Sequence, residues 1–241
     1  MQIIAHRGAS KHAPENTLEA FTFAFKRGIH FIECDVAMSL DGVLYIIHDD
    51  TFNRTTNGHG PVWNANWDKI SKLDAGSWFS AQYQHVKIPS FDDLLEWHHQ
   101  YPGIINLELK TITKEKIPLF LDTLFQAMEK VINIDDFIFS SFQFELIEAL
   151  KQQNKDWRIA ALSMNCNEAS IQRAKTMGCE CYNTSYQSCS SSWVENIHQQ
   201  GMKAGVFTVN DADVLQQLKS WGVDFVFTDD VLIDTNCIRV S

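Results

Sequence analysis

The chain has 241 residues, 45% of them hydrophobic, with only 5 Pro and 11 Gly, which suits one large α/β domain or two small ones and excludes a disordered or collagen-like chain. Thirty acidic residues against 20 basic ones give a formal net charge of -10, which disfavours a nucleic-acid partner bound through its phosphates. No run of about 18 apolar residues occurs, and Met1-Gln2-Ile3-Ile4-Ala5-His6-Arg7 carries charge where a signal peptide would be apolar, so the expectation is a soluble cytoplasmic protein without stable membrane insertion.

Ile3–His6 reads as a first short strand. Asn16-Thr17-Leu18-Glu19 is a capping-box-like helix start, Leu18, Phe21 and Phe25 share one helical face, and Gly28 ends the helix. Phe31–Ala37 is the second strand. Leu44–His48 follows it too closely for a parallel crossover and reads as an antiparallel hairpin partner. With Asp41-Gly42 as a two-residue turn, Leu40 faces Val43 and Asp35 faces His48. The stretch from His48 to Pro89 is rich in Thr, Asn and Gly and holds Trp63, Trp67 and Trp78; a functional cap and a surface excursion with buried tryptophans both fit it. Beyond it, Ile104–Leu109, Phe137–Ser141, Arg158–Leu162, Glu180–Asn183, Ala204–Thr208 and Phe225–Thr228 alternate with helical patterns. Eight strands alternating with helices over this length fit a closed (β/α)8 barrel better than an open sheet. The six cysteines are expected to be reduced thiols; a zinc site from Cys179, Cys181 and Cys189 is the alternative and lacks a second ligand pair.

Polar residues collect at the C-terminal ends of these strands, where such barrels place their active sites. His6 and Arg7 end the first strand. Glu33 and Asp35 share one face of the second, and Asn106, Glu108 and Lys110 share one face of the third. Carboxylates converging inside a barrel need a cation or a proton at neutral pH, and all-oxygen donors favour Mg²⁺ or Ca²⁺. An ion network with Arg7 and Lys110 is the structural alternative. A cation, an arginine and a lysine flanked by two histidines suit a phosphate ester, with His6 and His48 dividing acid and base duties because imidazole titrates near neutral pH. His12, His30, His85, His98, His99 and His198 read as ordinary polar residues.

His6-Arg7-Gly8, Pro14-Glu15-Asn16-Thr17, Glu33-x-Asp35, Asp41-Gly42 with His48-Asp49, Arg54-Thr55-Thr56-x-Gly58, Leu73 through Phe79, Glu108-Leu109-Lys110, Ser141-Phe142, Thr208-Val209-Asn210 and Gly222-Val223-Asp224-x-x-x-Thr228-Asp229 occur in this order. With this set the chain resembles the glycerophosphodiester phosphodiesterase family. The resemblance implies a TIM barrel of the phospholipase C-like phosphodiesterase type, forming one domain over residues 1–241 with a small insertion at about 50–90. It implies metal on Glu33, Asp35 and Glu108, acid/base roles for His6 and His48, and phosphate held by Arg7 and Lys110. The activity it implies is metal-dependent hydrolysis of small glycerophosphodiesters to sn-glycerol 3-phosphate and an alcohol. Phe207 stands where many members have Trp and keeps an aromatic wall near the glycerol end. A lysophospholipase D-like activity, calling for an apolar rim that the sequence does not display, and a non-catalytic phosphodiester-binding protein are the alternatives; all acid/base and metal candidates are present, which disfavours the second.

Overall fold

In the computed structural model, which describes residues 1–165 and 167–233, the chain runs through β1 (Gln2–Ala5), α1 (Leu18–Lys26), β2 (Phe31–Met38), β3 (Leu44–Ile46), α2 (Trp67–Ile70), α3 (Phe91–Gln100), β4 (Ile104–Leu109), α4 (Ile117–Met128), β5 (Phe137–Ser141), α5 (Phe144–Gln153), β6 (Arg158–Ser163), α6 (Glu168–Met177), β7 (Cys181–Ser185), α7 (Ser191–Gln199), β8 (Lys203–Phe207), α8 (Ala212–Ser220) and β9 (Phe225–Thr228). Every strand pairing is parallel except β2 with β3. β1 pairs with β9 on one side and β2 on the other, so β1, β2 and β4 to β9 close into an eight-stranded barrel with helices between the strands, a TIM barrel. The strand segments anticipated from sequence are these barrel strands, displaced by at most two residues at an end.

All eight residues of β2 are buried, which a strand achieves only when helices cover one face and the barrel interior the other. Ile32, Cys34 and Val36 pack outward in the main apolar cluster with Phe21 and Ala24 of α1. Thr17 starts that helix by accepting a hydrogen bond from the Ala20 amide at 3.3 Å, and Lys26 ends it two residues before Gly28. Inside the barrel, Ile4, Phe31, Ile138, Ala160, Cys181, Phe225 and Phe227 form an apolar filling. Above it the inward face turns polar, with Glu33, Asp35, Asn106 and Asn183 all buried. Cys34, Cys179 and Cys181 are buried thiols, whereas Cys166 and Cys237 lie outside the described residues.

The hairpin differs from expectation by one residue. Val36 pairs with Ile46, Ala37 with Tyr45 and Met38 with Leu44, which sets Ser39 against Val43 and leaves Leu40-Asp41-Gly42 as a three-residue loop. Ser39 explains the shift: its Oγ accepts from the Val43 amide at 2.9 Å and donates to Asp41 Oδ1 at 2.7 Å, while Gly42 supplies the left-handed φ of 85° that a three-residue hairpin requires. Asp35 therefore faces Ile47, whose amide donates to the Asp35 carbonyl at 3.0 Å, and not His48. β1 ends level with Ile32, so the upper edge of β2 on that side is free, and β3 occupies it.

The insertion is a packed cap with an apolar cluster of its own. Phe52, Val62, Ile70, Ala75 and Ile88 pack against Ala37, Tyr45 and Ile47 of the hairpin. Its tryptophans are not the centre of that cluster: Trp63 and Trp78 are exposed, and Trp67 packs at the edge. The Tyr83 hydroxyl donates to the His12 carbonyl at 3.1 Å, joining the cap to the loop after β1.

Within the barrel, Asn183 of β7 fills the space left by Gly205 of β8; a Cβ built on Gly205 would stand 2.0 Å from Asn183 Oδ1 and 2.8 Å from its Cγ. Crowding in a closed barrel has no outlet. Gly205→Ala is expected to lower unfolding free energy by about 1–3 kcal/mol, read from denaturant midpoints; an unchanged midpoint would show that Asn183 can move aside.

Candidate active site

The residues singled out in the sequence meet at the C-terminal mouth of the barrel. His6 and Arg7 follow β1, Glu33 and Asp35 lie on β2, Glu108 on β4 with Lys110 just beyond it, and Phe207 ends β8. A cavity of about 180 Å³ is lined on one side by His6, Arg7, Glu33, His48, Asn106 and Glu108, and on the other by Phe142, Leu162, Met164, Phe207 and Phe227. The polar wall comes from the β1–β4 half and the apolar wall from the β5–β9 half. His48 arrives there although it does not oppose Asp35, because β3 stops at Ile46 and the chain leaves the sheet before it.

One oxygen from each of Glu33, Asp35 and Glu108 lies within 4.8 Å of the others. Glu33 and Asp35 are buried and Glu108 is half-buried, and their charges are answered by two cations. Lys110 Nζ reaches Glu108 at 2.8 Å and Asp35 at 3.3 Å, and Arg7 Nε stands 3.6 Å from Asp35. Burial raises the Asp35 pKa, but Lys110, Arg7 and a hydrogen bond from Asn16 outweigh it and hold the carboxyl at about 2. Burial and the repulsion of Asp35 and Glu108 push Glu33 well above the usual carboxylate range. Asp35, between the cations, is thus the carboxylate held most firmly ionised. Three carboxylates against Arg7 and Lys110 leave a formal excess of one negative charge, and hard oxygen donors at this spacing could hold one metal ion. Arg7 Nε is buried without a hydrogen bond, which leaves the polar wall unsatisfied as it stands.

Backbone conformation sets these contacts. Arg7 has a φ of 55°, a left-handed conformation uncommon for a non-glycine residue, which turns its amide to donate to Glu33 Oε2 at 2.8 Å. Asn16, at a φ of 57°, both donates to Asp35 Oδ2 at 2.8 Å and accepts from the Asp35 amide at 3.2 Å. Such strain persists where surrounding contacts fix it, and it clusters at functional sites.

Each histidine is backed by a carboxylate. His6 Nδ1 donates to Asp229 at 2.7 Å, and Ser10 and Asn210 donate to the same carboxylate at 2.9 and 2.6 Å. Burial acts to raise the Asp229 pKa, but His6, Asn210 and Ser10 hold it at about 2. His48 Nδ1 donates to Asp49 at 2.7 Å. This pairing fixes the tautomer that leaves Nε2 for the pocket. Glu15, Asn16, Asp49, Asn210 and Asp229 occur in the sequence motifs, but nothing in local periodicity marks them as partners of the site. His6 and Asp229 are 223 residues apart and meet only because the barrel closes between β1 and β9. Other histidines also have partners: His12 and His198 pair with Asp230 and Asp224.

Comparison with known proteins gives this arrangement a family. The family described as "Glycerophosphoryl diester phosphodiesterase family" matches residues 6–233. The chain is 31% identical over 237 residues to a glycerophosphodiester phosphodiesterase of Caldanaerobacter subterraneus subsp. tengcongensis, covering 98% of this chain and 97% of that one. It superposes with a TM-score of 0.92 on an Oleispira antarctica phosphodiesterase in complex with the product sn-glycerol-3-phosphate, at 30% identity and coverage of 98% and 96%. A glycerophosphodiester phosphodiesterase structure from Agrobacterium tumefaciens gives a TM-score of 0.82 at 27% identity, with coverage of 96% and 97%. The barrel with its buried acidic cluster and paired histidines is thus that of an enzyme, and the chain belongs to the glycerophosphoryl diester phosphodiesterase family.

Proposed function

We propose that this site hydrolyses small glycerophosphodiesters to sn-glycerol 3-phosphate and an alcohol, with one divalent cation, Mg²⁺ or Ca²⁺, on Glu33, Asp35 and Glu108 and with His6 and His48 as the acid/base pair. The observation that carries it is the polar wall, where Glu33, Glu108 and two carboxylate-backed histidines border one cavity and Asp35 lies buried beside the two glutamates. The product complex of the Oleispira relative supports the same substrate class for this chain. No helix among the described residues is long and apolar enough to cross a membrane, in keeping with a small-molecule substrate and a cytoplasmic location. Phe142, 39% exposed, and Met164, 53% exposed, give the mouth an apolar rim drawn from the ends of β5 and β6, which favours a second reading in which lysophospholipids are also accepted.

A bound cation supplies Lewis acidity that offsets charge building up on the phosphate oxygens. Arg7 and Lys110, already aligned by Asp35, hold the non-bridging oxygens. Water attacks a diester slowly, but the glycerol hydroxyl beside the esterified carbon is already tethered, and holding it in line makes the attack intramolecular. One histidine takes that hydroxyl's proton while the other gives a proton to the departing alcohol. The cyclic 1,2-phosphate so formed is opened by water, with the two histidines reversing roles. Phe207 and Phe227 border the cavity opposite the charges, where the carbon skeleton of glycerol would lie.

Removing metal with a chelator should abolish turnover and Mg²⁺ or Ca²⁺ should restore it, whereas full activity after exhaustive chelation refutes the metal role. Glu108→Gln should cost rate far more than stability, because it removes one of three mutually repelling carboxylates. His6→Ala and His48→Ala should each lower kcat by ~10²–10⁴ while the protein still melts near wild type; an unchanged kcat removes that residue from the mechanism. The cyclic route needs the neighbouring hydroxyl, and direct attack by water does not. Glycerophosphocholine should therefore turn over far faster than an analogue lacking the glycerol 2-hydroxyl that still binds by competition, and equal kcat values would replace the cyclic route with the direct one.

A further inference from the structure

Arg54 of the cap reaches the site, and the chemistry above does not use it. Arg54 donates from Nε and Nη2 to the two oxygens of Asp49 at 2.7 and 2.8 Å, and from Nη1 and Nη2 to the two oxygens of Glu15 at 2.6 and 2.7 Å. A planar guanidinium bound bidentately to two carboxylates has essentially one orientation. Both carboxylates lead to the polar wall: Asp49 accepts from His48 Nδ1, and Glu15 accepts from Arg7 Nη1 at 2.9 Å.

The turn that presents Arg54 is itself fixed. Phe52 is buried in the cap's apolar cluster, Thr56 Oγ1 donates to the Phe52 carbonyl at 2.7 Å, and the Gly60 amide donates to Asn53 Oδ1 at 3.0 Å. His48 has no comparable hold of its own. It lies beyond the last paired residue of β3, its side chain is 33% exposed, and Asp49 is its hydrogen-bonded partner. Asp49 is the adjacent residue in the chain and in turn needs an anchor. On the His6 side that anchoring comes from neutral donors, Ser10 and Asn210, carried by barrel loops. On the His48 side it comes from a charged residue of the insertion.

We propose that Arg54 is a positioning residue for the hydrolysis, locking Asp49 against Glu15 and thereby fixing the His48 ring at the mouth of the barrel. The assignment rests on the reading of His48 as an acid/base group. A ring free to swing by about 1 Å or more forfeits much of the rate that orientation supplies.

The test is a set of Arg54→Ala, His48→Ala and double variants, assayed on glycerophosphocholine with saturating Mg²⁺ and melted in parallel. Arg54 is 45% exposed, so its removal leaves the core intact and the melting temperature close to wild type. The expected result is a kcat lowered about 10–100-fold in Arg54→Ala, partly restored by guanidinium but not by sodium chloride at equal ionic strength. The double variant should be no slower than His48→Ala alone, because no ring remains to be positioned. An Arg54→Ala kcat within about twofold of wild type, or a further loss of the same size on top of His48→Ala, overturns the proposal. Impaired His48→Ala beside normal Arg54→Ala overturns the Arg54 assignment alone, whereas normal His48→Ala takes down the acid/base reading and this assignment with it.

Discussion

Three carboxylates, two of them buried and the third half-buried, cannot all stay ionised within 4.8 Å of one another unless positive charge is brought to them, and much of the mouth of this barrel is arranged around that constraint. The demand begins in β2, whose pairing with β4 puts Asp35 level with Glu108. It is met by Lys110 from the end of β4 and by Arg7 from the end of β1, each within 4 Å of a carboxylate oxygen. The left-handed turns at Arg7 and Asn16 serve the same end, because both aim backbone or amide donors at buried oxygens. With all three carboxylates ionised, Arg7 and Lys110 leave one negative unit of the cluster unanswered, a charge that a proton on Glu33 or a bound cation would offset. A dication would reverse the excess and prepare the wall for a singly charged phosphodiester.

The two histidines are suspended differently from this centre. His6 follows a central barrel strand and is backed by a carboxylate whose partners come from other barrel loops. His48 follows a short edge strand and is reached by a chain of charge running from Asp49 through Arg54 and Glu15 to Arg7. That chain ends at Asp35, so the cap and the acidic cluster share one continuous electrostatic network. Packing of the cap on Ala37, Tyr45 and Ile47 gives the network a rigid base.

The barrel was legible in the sequence because its strands are short apolar runs at regular intervals and each crossover carries a helical pattern, both of which are local signals. The same period of two showed that Glu33 and Asp35 share a face, and Asn106 with Glu108 likewise. The hairpin register lies one residue from the one its sequence suggests, since the turn is decided by what Ser39 does with its hydroxyl, and Asp41-Gly42 is compatible with both a two-residue and a three-residue loop. His48 still reached the site, by leaving the sheet and not by pairing across it. Asp229 and Arg54 carried no local mark of their roles: His6 lies 223 residues from Asp229, and Arg54 joins Asp49, five residues away, to Glu15, 39 residues away, so barrel closure and cap packing set these contacts. The aromatic richness of the insertion suggested buried tryptophans, yet its interior is built from Phe52, Val62, Ile70 and Ile88.

The cap and β3 rise over the β1–β2 side of the mouth, where Tyr83 ties down the loop after β1, while Phe142 and Met164 stand exposed on the opposite side. The entrance is therefore lopsided, and traffic through it acquires a direction. On the proposed reading the phosphate sits on the charged wall at the closed side, and the departing alcohol would leave past the exposed Phe142 and Met164. Under the cyclic route, the water that opens the ring has to arrive along the path the alcohol has just vacated. A slow-leaving alcohol would then delay its own replacement, coupling the first chemical step to the second through nothing more than the shape of the doorway.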